Sequence, residues 1–126
     1  METKLLHLGD LKFNLDIWLR ELKFHKQELG FFEKKLGEIS IRNLGHEAMI
    51  PLEGFQNKIA KEKHAINDLK HRIKFKMNLL VKLSTSDEVD GTHRKRQFVL
   101  SEEMATFNKL HFELKAKMMN YFLRWL

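Results

Sequence analysis

The stretch "ELKFHKQELGFFEKKL", residues 21–36, places His25 between Glu21 and Glu28, one turn away on either side. Imidazole and carboxylate at one-turn spacing on a helix can hold a divalent metal, share a proton, or simply pair. Two further residues belong to the same chemistry. Glu62 and His111 each occupy a position where the surrounding pattern calls for an apolar side chain. A group of Glu21, His25, Glu28, Glu62 and His111 resembles the carboxylate and imidazole sets that di-metal helical bundles project into their cores. Those sites use glutamate followed three residues later by histidine; here the order is His25-x-x-Glu28. A satisfied buried pair of His25 and Glu62 that fixes helix register, with His111 one or two turns higher, is therefore the first expectation and a metal site the alternative.

Other catalytic chemistry finds little support. The chain has no cysteine, which excludes a thiol nucleophile, disulfides and thiolate metal sites. Ser40, Ser84, Thr85, Ser86, Thr92, Ser101 and Thr106 fall near loops or helix ends, where capping accounts for them. No glycine-rich phosphate loop or nucleotide fingerprint is present. The reading is non-enzymatic.

These residues sit on three long stretches of helical periodicity. In the first, Leu11, Leu15, Trp18, Leu22, His25, Leu29, Phe32, Leu36 and Ile39 alternate four and three apart without a slip. The second runs Leu52, Phe55, Ile59, Glu62, Ile66, Leu69, Ile73, Lys76, Leu80 and Leu83; the third Leu100, Met104, Phe107, His111, Leu114, Met118, Tyr121 and Trp125, with Ser101 as candidate N-cap. Loop chemistry marks 42–51, with Asn43, Gly45 and Pro51, and 84–93, with Asp90-Gly91. Gly30 and Gly37 weaken the first helix, and Pro51 starts or kinks the second. The pattern predicts one all-α domain over 1–126: an antiparallel up-down-up bundle of three helices, at 10–40, 48–84 and 96–126. With no leader-like or membrane-length apolar run, the expectation is a soluble, cytoplasmic protein without a membrane partner.

Two rows of apolar residues are left over. Ile17, Phe24 and Phe31 recur seven apart beside the first seam, as do Phe98, Ala105, Phe112, Met119 and Leu126 beside the third. Three slender helices have little surface with which to cover both, so Ile17, Phe24, Phe31, Phe98, Phe112 and Met119 are expected to form a homo-oligomer interface.

Charge supplies the last feature. The chain carries +6, and residues 58–82 alone hold Lys58, Lys61, Lys63, Lys70, Arg72, Lys74, Lys76 and Lys82 against Glu62 and Asp68. With Arg94, Lys95 and Arg96, this basic face suits an acidic protein partner. Weakly sequence-specific nucleic-acid binding through the phosphates is a further alternative, disfavoured because only Phe75 on that face offers an aromatic ring for stacking. His64 and His71 lie on the same solvated side, too far apart to chelate one ion.

Trp18-Leu19 with Leu22, Phe24 and Glu28-Leu29, then "FQN" at 55–57, "DLKH" at 68–71, His93, and Phe122-Leu123 with Trp125 resemble a bacterial family of short, uncharacterised three-helix proteins. The resemblance implies a helical bundle and no particular chemistry. The segment "AMIPLEGF" departs from the family pattern and leaves the start of the second helix open.

Overall fold

A computed structural model describes residues 8–42, 44–83 and 91–126. They form three helices and no strand: α1 (Leu8–Ile41), α2 (His46–Val81) and α3 (Gly91–Trp125). Each is about 50 Å long at 1.5 Å per residue. Residue numbers rise together along α1 and α3: Gln97 bonds the Leu11 carbonyl, His25 meets Asn108, and Phe32 packs on Phe122. Along α2 they run the opposite way, with Ala48 meeting Tyr121, Glu62 meeting His111 and Lys76 meeting His93.

The core is the heptad seam. All nine expected α1 positions are buried, with Leu8 added at the N-terminal end. On α3, Leu100 through Tyr121 are buried as expected, joined by Gln97 and Phe122; Trp125 is half-buried. On α2, Phe55 and Glu62 are half-buried while the remaining seam positions are buried, Lys76 included; Leu83, half-buried, lies just past the end of the helix at Val81.

The helix limits differ from expectation in informative ways. α1 runs through Gly30 and Gly37, because Leu29, Phe32, Leu36 and Ile39 bury on either side of them. α2 begins at His46, so Pro51 lies inside it. Its missing N–H costs one helical bond, but the opening turn is fastened elsewhere. Ala48 is buried, the Ala48 carbonyl accepts a 2.7 Å bond from the Tyr121 hydroxyl, and Gly45 makes the turn at φ 93°. α3 begins at Gly91, five residues earlier than expected, which puts Ser101 in its exposed interior rather than at its cap. The expected loop at 84–93 is thus helical over its last three residues. Residues 1–7, Asn43 and 84–90, including Ser84, Thr85, Ser86, Asp90 and the expected end of α2, lie outside the described residues.

Candidate polar centre and flanking surfaces

Midway along the bundle the three seams bring polar side chains together. His25 is 4% exposed and His111 fully buried; their ring centroids stand 4.2 Å apart. His111 Nδ1 lies 2.8 Å from Glu62 Oε1 on α2, and its Nε2 lies 3.1 Å from Glu28 Oε1 on α1. Both ring nitrogens therefore face carboxylate oxygens, and only an imidazolium donates to both. Burial opposes that charge, but the hydrogen bonds to Glu62 and Glu28 outweigh it and raise the His111 pKa. Burial likewise works to raise the Glu28 carboxyl. Its bonds from Lys115 and His111 outweigh that and hold it below the usual carboxylate value. Two carboxylates, one imidazolium and the Lys115 ammonium sum to zero, so the buried charge is locally cancelled. Because the four groups come from all three helices, the network also fixes their register.

His25 stands differently. Its Nε2–H donates to Asn108 Oδ1 at 3.0 Å, which turns Nδ1 toward the other side of the ring. That nitrogen is buried, has no hydrogen-bond partner, and lies 3.7 Å from Glu28 Oε1. The rings of Phe24, Phe107 and Phe112 surround it at centroid distances of 6.1, 6.0 and 5.7 Å. One ligand atom each from His25, Glu28 and His111 lies within 4.8 Å of the others.

Of the five expected polar residues, the centre unites four. Glu21 stays half-buried outside it, because its side chain leaves α1 nearly two turns from Glu28 and no residue of α2 or α3 draws it in. Glu62 pairs with His111, not with His25, and His111 lies level with His25 rather than a turn or two higher; the early start of α3 explains both shifts. Asn108 and Lys115 escaped notice in the sequence. They sit three before and four after His111, so both share its face of α3, on the flank turned to α1.

The expected interface residues are open to solvent. Phe24, Phe31 and Phe112 are 56%, 58% and 55% exposed, and Ile17, Phe98 and Met119 are exposed as well. Phe24 and Phe112 both stand against His25, so the α1 and α3 rows border one seam between those helices.

The basic face is less uniform. Lys58, Lys61, Lys70, Lys74, Arg94, Lys95 and Arg96 are exposed. Lys63, however, bonds Glu33 at 2.7 Å, and Arg72 grips Glu103 through both guanidinium nitrogens, with Asp68 3.4 Å away. Lys76 is no surface charge. It is buried, donates from Nζ to the His93 carbonyl at 2.5 Å, and has its pKa lowered to about 8 by burial and by nearby Arg96. Gln97, also missed as a seam residue, donates to the Leu11 carbonyl and to Asn14 Oδ1. No helix among the described residues is long and apolar enough to cross a membrane.

No protein-family model, curated protein or solved structure matches the chain.

Proposed function

We propose that the protein is a non-enzymatic interaction module that associates with a second copy of itself through the α1–α3 face and offers the outer side of α2 to an acidic partner. One observation carries the reading: six large apolar side chains, each between 39% and 61% exposed, border a single helix–helix seam. Side chains of this size bury about 150–250 Å² when fully covered. Half-exposed, the six offer on the order of 500 Å² of apolar surface per copy, most of what one side of a standard interface of about 800 Å² needs. A copy of the same face is the matching occupant, since two-fold association sets each row against an equally apolar row. The exposed Lys58, Lys61, Lys70 and Lys74 remain outside that contact, on α2.

Sedimentation velocity at micromolar concentration tests the proposal. The expected result is a dimer that the double variant Phe24→Glu, Phe112→Glu converts to a folded monomer. A wild-type chain that sediments only as a monomer overturns it.

A further inference from the structure

We infer that His25 Nδ1, Glu28 Oε1 and His111 Nε2 form a binding site for one divalent transition-metal ion at the α1–α3 seam. The inference does not depend on self-association. It begins with a polar atom that packing does not explain. His25 occupies a seam position whose neighbours one turn away are Leu22 and Leu29, and its Nδ1 is buried without a hydrogen-bond partner. Leaving such an atom unpaired costs about 1–3 kcal/mol, which a leucine at the same position would avoid. A cation satisfies it.

The surroundings are built for that cation. Ligand atoms bound to a common ion at about 2.0–2.2 Å stand roughly 3.0–3.6 Å from one another. His111 Nε2 and Glu28 Oε1 are 3.1 Å apart, and His25 Nδ1 and Glu28 Oε1 are 3.7 Å apart. With one ligand atom of each residue within 4.8 Å of the others, side-chain rotation draws the two imidazoles together around an ion held at Glu28 Oε1. Both histidines have their far nitrogens held as metal-binding histidines do. Asn108 accepts from His25 Nε2–H and presents Nδ1 inward; Glu62 accepts from His111 Nδ1–H and presents Nε2 inward. Lys115 engages Glu28 through Oε2, leaving Oε1 to the ion. The ion replaces the proton between His111 Nε2 and Glu28 Oε1, and that proton leaves to solvent. With His111 neutral, Glu28 and Glu62 against Lys115 leave one net negative charge around the cation. Two imidazoles and one carboxylate suit zinc or ferrous iron over calcium or magnesium, which favour all-oxygen sites.

The test is a titration of the chelator-treated full chain with Zn²⁺ against a chromophoric competitor. The expected result is one equivalent bound at micromolar affinity or tighter. His25→Phe, which keeps an aromatic ring among Phe24, Phe107 and Phe112, and Glu28→Gln are each expected to weaken binding a hundredfold or more. Asn108→Ala is expected to weaken it about 10–100-fold, as loss of an orienting partner does. His64→Ala with His71→Ala, on the exposed side of α2, leaves it unchanged. Nitrogen chemical shifts of the wild-type chain give a readout that no variant's folding can confuse: Zn²⁺ is expected to move His25 Nδ1 and His111 Nε2. Absence of stoichiometric binding, affinity retained in both ligand variants, or shifts confined to exposed histidines overturns the site.

Discussion

Lys76 and His111 show how the same core treats two buried cations. His111 is enclosed by carboxylates, and its charge is stabilised; Lys76 bonds the His93 carbonyl and faces Arg96. Its pKa accordingly falls from the ordinary 10.5 to about 8, with burial the larger cause. The sign of the stability effect follows from proton counting. Between pH 8 and 10.5 the unfolded chain holds the Lys76 proton while the folded chain has released it, so stability rises with pH across that window. Below it, the folded state carries a penalty on the order of 1–3 kcal/mol. Lys76→Met, which fills similar space without charge, is therefore expected to be more stable than the wild type at pH 7 relative to its standing at pH 10.5. Denaturant unfolding of both proteins at the two pH values measures this. A stability difference independent of pH contradicts the assignment.

At the scale of the helices, the glycines divide cleanly. Gly45 has φ 93° and ψ 179°, a region essentially closed to other residues, so Gly45→Ala is expected to cost about 1–3 kcal/mol even though nothing crowds the added methyl. Gly30 is exposed, helical and equally uncrowded; Gly30→Ala is expected to add about 1 kcal/mol. Thermal unfolding of the pair should show Tm moving in opposite directions. Tyr121→Phe tests what holds the turns before Pro51. Loss of the hydroxyl bond to the Ala48 carbonyl is expected to cost about 1 kcal/mol and to raise amide exchange in residues 46–52 ahead of the rest of α2. These positions also explain what the sequence could and could not disclose. The α1 seam was legible residue by residue, because burial repeats with the heptad and Gly30 and Gly37 interrupt only propensity. The two helix starts were not, because each is held by distant partners: Tyr121 at Ala48, and Leu11, Asn14 and Lys76 at the first turns of α3. Ser101 carried a cap signature that such contacts overrode. The polar centre was half legible for the same reason. The residue types of His25, Glu28, Glu62 and His111 stood out, but the start of α3 decides which of its residues reach α1, so Asn108 and Lys115 did not.

For the molecule as a whole, charge and apolar surface oppose each other. Each copy carries +6, so in the proposed dimer the net charges repel and the α1–α3 faces must supply the attraction. Repulsion between exposed charges is screened over about 10 Å at 0.1 M salt and about 3 Å at 1 M, whereas the hydrophobic contact is not weakened by salt. Self-association is therefore expected to tighten severalfold between about 0.05 M and about 0.5 M salt. Binding of an acidic partner to the Lys58, Lys61, Lys70 and Lys74 side of α2 must respond the other way, since there salt screens an attraction. The two surfaces can thus be separated in one set of measurements. Charge reversal at Lys61 and Lys70 should leave the dimer intact or strengthen it by lowering the net charge, while abolishing capture of an acidic polypeptide such as polyglutamate. Phe24→Glu with Phe112→Glu should do the reverse. A dimer that dissociates as salt is added would place the contact on charged residues and remove the α1–α3 rows from the account.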